Sequence, residues 1–374
     1  MQSIVKVLLP RQLVLLLILS TGLLNHVILI PNLLTAAGRD SWVSVIISYP
    51  ISLLFLWLIY YIVKNSPQEG FFSFIRRRLG RNISIMLSIP PILFLFTSSY
   101  VTIRDLMIWL SAYFLSDSSI LLITIVLIIS CFIVTLAGVK NMAIASGVLL
   151  PIVILLGIFI SLTNSTYKDP SLLLPIFSDG FPKVLKGSIY VLSGLLEIYV
   201  MILLQPFLQE PIKFKHLLIV MTIFTGLILG PLTASLMEFG LESINFRYPA
   251  HEQWRILSIG EYISHLDFFA LYQWLSGALI RVGLLMYLLC ALFSSKKHSY
   301  ILNPKVVIFV YLILFTSMLI NVESHYFFKY LYLYYLPLSF LFFSIQIILS
   351  ALLLFILKKR DEQHDKNNKF ESSS

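Results

Sequence analysis

Runs of eighteen or more apolar residues recur along nearly the whole of this 374-residue chain. Each is long enough to cross a hydrocarbon core of about 30 Å as a helix rising about 1.5 Å per residue. Composition agrees, with 58 % hydrophobic and 12 % charged residues, where a soluble domain carries roughly a quarter charged. The chain reads as an all-α integral membrane protein of about ten spans. They lie near residues 13–34, 42–63, 84–114, 120–137, 143–162, 188–209, 217–238, 268–293, 306–321 and 334–357. Pro90-Pro91 in the long third span implies tilt or a kink there. Residues 1–357 form one membrane domain, and the polar tail 358–374 is expected to be disordered. The first apolar stretch is too long, and too polar at Asn25, His26 and Pro31, to be a cleaved signal despite Thr35-Ala36-Ala37.

Basic residues set the orientation. With the N-terminus inside, eighteen lysines and arginines fall in inner segments and seven in outer ones, while Arg104 and Arg281 lie within spans. Both termini are therefore expected on the cytoplasmic side. The net charge of +9 is mostly this bias, with some attraction to anionic membrane lipid, and calls for no nucleic acid. Cys131 and Cys290 fall inside spans and suggest neither a disulfide nor a metal site. The stretch FFSFIRRRLGR at 71–81 is suited to the headgroup surface, and EYISHLDFF at 261–269 to a short helix along the outer face.

Ten spans divide into two halves of five, about 13–162 and 188–357, and an odd count makes the second half run opposite to the first, as an inverted repeat requires. The opening helices of the halves carry matching interruptions. The first has Thr21-Gly22, then Asn25-His26 and Pro31. The sixth has Ser193-Gly194, then Glu197 and Pro206. Paired breaks at one depth point to a mid-membrane binding site lined by Thr21, Gly22, Asn25, His26, Ser193, Gly194 and Glu197, with Tyr100 and Arg104 of the third span beside it.

Glu197 is the only charged residue between Lys186 and Glu210. Charge at that depth is costly and faces a partner or water. Two readings stand: static pairing with Arg281 or Arg104, or a carboxylate facing a cavity, where it meets an ammonium group or a proton. Arg281, Asp105 and Asp267 are the other ion-pair or proton candidates. A lone histidine such as His26 either bonds a neighbouring carbonyl or lines the cavity. The tyrosines from Tyr326 to Tyr335 read as an interfacial belt. Catalytic signatures are weak. HEQWR at 251–255 starts like a zinc helix but lacks the second histidine, and an outer-face transferase using His251, His265 and Asp267 is the remaining enzymatic reading. No catalytic residue, metal or cofactor is expected.

Arg11-Gln12-Leu13, Gly22, Pro31 and AAGRDSWVS at 36–44 resemble the opening of the endospore germination permease family, the B subunits of spore nutrient receptors. RRRLGR at 76–81, GVKNMA at 138–143, Glu197 with Pro206, RYP at 247–249 and LDFFALYQW at 266–274 come next in the family's order. Asn25-His26 and Ser264-His265 depart from the residues common in relatives. The resemblance implies the amino acid/polyamine/organocation superfamily architecture, a leucine-transporter-like fold with broken helices 1 and 6. It implies a receptor that senses a small nutrient germinant such as an amino acid. That receptor would work with an A subunit and a lipoprotein C subunit in the spore inner membrane. An ion-coupled secondary transporter of an amino acid or polyamine is the alternative.

Overall fold

The computed structural model describes residues 7–67, 69–178, 180–257, 266–293 and 302–371. It is helical throughout, with no strand among the described residues beyond a single bridge between Leu8 and Leu208. Residues 258–265 lie outside the described set, and with them most of the helix expected along the outer face, as well as Ser264 and His265.

Among the described residues, seven stretches are long and apolar enough to cross a membrane, consistent with an integral membrane protein. Two of them, Pro10–Asn65 and Ile120–Tyr167, are 56 and 48 residues long, and each is interrupted at a glycine. The first comprises α1 (Pro10–Leu23), a π-helical turn (Leu24–Ile28), α2 (Leu29–Ala37), and then Gly38 before α3 (Ser41–Asn65). Gly38 has φ 56° and ψ −135°, a backbone state that side chains with a Cβ disfavour. α6 (Ile120–Thr163) is interrupted in the same way at Gly138, with φ 81°, where the spacing of apolar runs places a boundary between spans.

Between these lie α4 (Phe71–Leu79) and α5 (Arg81–Tyr113). α4 is amphipathic: Phe71, Phe74 and Ile75 are buried while Arg76, Arg77 and Arg78 are exposed, as a headgroup-level helix requires. α5 stays helical through Pro90 and Pro91. Pro91 has no N–H for the carbonyl of Leu87, and Gln346 Nε2 supplies the missing donor at 3.2 Å.

The second half opens with α7 (Phe181–Leu195), a 3₁₀ turn (Leu196–Tyr199) and α8 (Val200–Leu204). It continues through α9 (Phe214–Phe239), α10 (Pro249–Arg255), α11 (Phe268–Phe293), α12 (Pro304–Met318) and α13 (Ser324–Tyr330). A second π turn (Leu331–Tyr335) leads into α14 (Leu336–Glu371). The backbone of α14 is helical to Glu371; Lys, Glu and Gln are good helix formers that extend an existing helix at little cost.

Burial sorts the helices into an interior and a shell. The most apolar window of 181–207 is 94 % buried and that of 268–293 is 78 % buried, against 33 % for 120–167 and for 324–360. α1, α2, α7, α8 and α11 therefore form the centre. α6, α12 and α14 turn residues such as Leu155, Phe309 and Phe355 outward, toward lipid. α1 packs on α6, α9 and α11, while α7 packs on α3 and α14, and α5 packs on α11.

Candidate functional site

The two interruptions meet at the centre of the bundle. A π turn inserts one residue into a helix and rotates the residues beyond it, and in the first half this brings Asn25 against the α7 backbone. Asn25 is fully buried, and neither amide atom has a hydrogen-bond partner among the described residues. A Cβ at Gly194 would collide with Asn25 Oδ1 and would stand 2.5 Å from Leu29 Cδ1. Only glycine lets the two broken helices approach so closely. Ser193 donates its hydroxyl to the Tyr190 carbonyl at 2.6 Å, and the Thr21 carbonyl accepts from the Leu24 N–H as α1 ends.

Three residues beyond Gly194, the 3₁₀ turn presents Glu197 to Arg281 of α11. Both side chains are almost completely buried, at 1 % and 0 % exposed, and they pair as a fork. Arg281 Nη1 donates to Glu197 Oε1, and Nη2 donates to Oε2 at 3.0 Å. The remaining guanidinium donors are also engaged. Nη2 reaches Ser98 Oγ at 2.6 Å, Nε reaches Thr102 Oγ1 at 3.1 Å, and Nη1 reaches the Ser20 carbonyl at 3.3 Å. Tyr335, delivered by the second π turn, donates to Ser98 Oγ at 3.0 Å. One ion pair thereby ties together α1, α5, α7, α11 and the turn before α14. Of the two readings of Glu197, pairing with Arg281 is what the structure holds. An arrangement this saturated meets the condition under which a buried pair is tolerated.

Ser98, Thr102 and Tyr335 were not among the residues expected here. Ser98 and Thr102 lie four apart, on one face of α5, and that spacing was the available signal. Tyr335 corrects the expected belt: Tyr326, Tyr330 and Tyr334 are exposed but Tyr335 is only 4 % exposed, because the π turn swings it inward.

The other expected residues serve elsewhere. Arg104 does not pair with Glu197. Its guanidinium donates to the carbonyls of Met318, Ile320 and Val322, where α12 ends and its unsatisfied carbonyls favour a cation. Asp105 turns the other way and accepts from Arg247 Nη2 at 3.1 Å and from Tyr248 at 3.3 Å, while Arg247 lies 3.4 Å over the Phe328 ring. Adjacent residues of α5 thus anchor two separate connecting segments. Tyr100 is half-buried near Tyr330. His26 hydrogen-bonds the backbone of Leu227, the carbonyl that Pro231, four residues on, cannot serve. Gly22 and His26 line a cavity of about 380 Å³ between α1, α6, α9 and α11, and Glu197 does not border it. Asp267 immediately precedes α11 and lies within electrostatic reach of His251.

His251 is fully buried in α10, with no partner for either ring nitrogen among the described residues. It is ringed by Trp109, Tyr113, Phe114 and Trp274. No cluster of three metal-ligating residues occurs among the described residues. Burial lowers the His251 pKa from 6.5 to about 4, with Asp267 acting against the shift. The unfolded chain takes up this proton near pH 6.5 and the folded one only near 4. Stability is therefore complete above about 6.5 and falls as the pH drops toward 4. The melting temperature of detergent-purified protein should fall less between pH 7.5 and 4.5 in His251→Phe than in the unaltered chain; equal slopes would refute a neutral buried imidazole.

A bundle of apolar helices, with both opening helices interrupted and a buried charge pair joining the second interruption to α11, has the character of a polytopic membrane protein organised around a polar centre. The chain belongs to the spore germination protein family, whose model matches residues 8–326. It is 39 % identical to spore germination protein XB of Bacillus anthracis over 77 % of this chain and 81 % of that protein. It is 25 % identical to spore germination protein KB of Bacillus subtilis (strain 168) over 72 % and 74 % of the respective lengths. The family is of the germination permease type and is not a known enzyme class.

Proposed function

We propose that this chain is the B-type subunit of a spore germinant receptor. In this reading it binds a small nutrient germinant such as an amino acid at mid-membrane depth and passes the signal to A-type and lipoprotein C-type subunits in the spore inner membrane. The observation that carries the reading is the Glu197–Arg281 fork at the meeting of the two helix breaks. A ligand shifts a conformational equilibrium only by its difference in affinity between the two states. A germinant lodging among Thr21, Gly22, Asn25, His26, Ser193 and Gly194 moves α1 against α7 and loads the fork, which holds three further segments. Asn25, with its amide free to bond, is the natural hydrogen-bonding group for the ligand, and Glu197 is the counter-ion for an ammonium once Arg281 lets go. Tyr100 and Arg104 complete the outer side of this route.

The architecture belongs to the same proposal. The breaks at Gly38 and Gly138 divide the two longest stretches in two, and α12 is a shorter apolar helix. Ten crossings in two inverted halves of five result, in a leucine-transporter-like fold. Packing supports the correspondence. Under it α1 maps onto α7, α9 onto α3, and the end of α6 onto α14. The contacts of α1 with α9 and α6 have their counterparts in those of α7 with α3 and α14.

Deleting the gene for this chain from its spores should abolish germination by the cognate nutrient while leaving germination by a trigger that bypasses nutrient receptors intact. An unchanged nutrient response across a broad panel would defeat the reading. In proteoliposomes, saturable binding without gradient-driven uptake is expected; accumulation driven by a proton or sodium gradient would favour the transporter alternative.

A further inference from the structure

The cavity of about 380 Å³ is separate from the charge pair. It runs from Gly22 and His26 at the first helix break to Ala250, Gln253 and Trp254 on α10, and its volume lies in the range of small-molecule sites. Among the described residues, no aspartate, glutamate, lysine or arginine lines it. Its polar wall consists of His26, Ser161, Gln253, Gln273 and the indoles of Trp254 and Trp274, and much of that capacity is committed. Gln253 Nε2 donates to the Pro231 carbonyl at 2.8 Å and Gln273 Nε2 to the Val153 carbonyl at 3.1 Å. His26 gives one N–H to the Leu227 backbone, which leaves Nδ1 with no partner among the described residues. In the neutral ring, a nitrogen opposite a donating N–H is an acceptor.

Two more features bear on what enters. Ile154, Ile158 and Ile223 border the cavity and are also exposed on the outer surface of the bundle, so one side of it reaches the lipid phase. Gly226 and Gly230 line it on α9, and a Cβ at either would stand in open space. A charged group brought here would lose its hydration and gain no counter-ion.

We propose that this cavity is a binding site for an uncharged, mainly apolar molecule carrying a hydroxyl or N–H donor, which His26 Nδ1 accepts. The site does not border the Glu197–Arg281 centre, although Gly22 and His26 are also among the residues proposed for the germinant, and it stands whether or not the receptor reading holds. Its occupant comes either from water as a small neutral compound or from the bilayer as a neutral lipid with a free hydroxyl. Gly22, which lines it, lies two residues from Ser20, whose carbonyl accepts from Arg281, so occupancy bears on how α1 sits.

The test is photolabelling of the purified full-length protein with a diazirine-bearing octanol, read by peptide mass spectrometry. Saturable labelling on the α6 and α9 walls is expected, suppressed by excess octanol and at least tenfold above that from the matching diazirine octanoate and octylammonium. In the double variant Gly226→Leu/Gly230→Leu both new Cβ atoms stand in open space, so it should keep its melting temperature and lose about tenfold in labelling. His26→Phe should weaken labelling severalfold. Competition by dioleoylglycerol identifies the membrane as the source, and its absence identifies a small free molecule. Equal labelling by the charged probes overturns the proposal, as does labelling of the wall that is undiminished in the filled variant or does not saturate.

Discussion

Replacing Arg281 by methionine is expected to remove most of the protein from the membrane, whereas Glu197→Leu combined with Arg281→Met leaves it there in a silent form. The single change strands a buried carboxylate in the centre of the bundle and leaves the Thr102 hydroxyl oxygen without its donor. Breaking a buried pair from one side costs about 3–5 kcal/mol, a large share of the roughly 5–15 kcal/mol by which a folded domain is stable. Removing both charges together trades the pair for apolar contact, which is often neutral or favourable. Glu197→Gln should fall between, since it keeps the shape and loses the charge. Protein level by immunoblot and nutrient dose–response, measured in the same spores, separate the outcomes. A double variant with normal level and normal response would reduce the pair to structural glue, and loss of response at normal level would make it part of signalling.

Gly194→Ala should damage the protein far more than a methyl group ordinarily does, and Asn25→Ala should largely repair it. The added Cβ has no room between Asn25 Oδ1 and Leu29 Cδ1, and overpacking of this kind typically costs about 1–3 kcal/mol. Leu29 can give way by rotating, but Asn25 is fixed within the π turn, so removing its amide is the effective relief. The double variant should recover most of the lost thermal stability and behave non-additively, as residues in direct contact do. Additive losses would show that the two helix breaks do not touch as described. The stable double variant also isolates the contribution of the Asn25 amide, because it folds without it.

Much of this architecture was legible in the chain, at the level where local pattern decides. Long apolar runs identify the class. Gly138 between two such runs marks a true break, and the isolated Glu197 flags the centre of the molecule. Arg281 and Arg104 could be named as its candidate partners because an unpaired charge within a span is so costly that few residues satisfy it. The choice between them could not be made from the chain alone. What stayed hidden depends on rotation and on contacts between distant helices. Tyr335 sits in a run of tyrosines that pattern alone assigns to the interface, and a single inserted residue sends it to the core. Ser98 and Thr102 are ordinary hydroxyls until Arg281 stands beside them. The cavity takes its walls from α1, α6, α9, α10 and α11, so no local window of sequence contains it.

The carbonyls of Leu87 and Leu227, released by Pro91 and Pro231, are each engaged by a side chain from a different helix, Gln346 in one case and His26 in the other. Such a link can open without unwinding any turn, because the helix carrying the proline never used that acceptor for itself. At each of these two points, a shift between neighbouring helices therefore breaks a single side-chain bond and no backbone one.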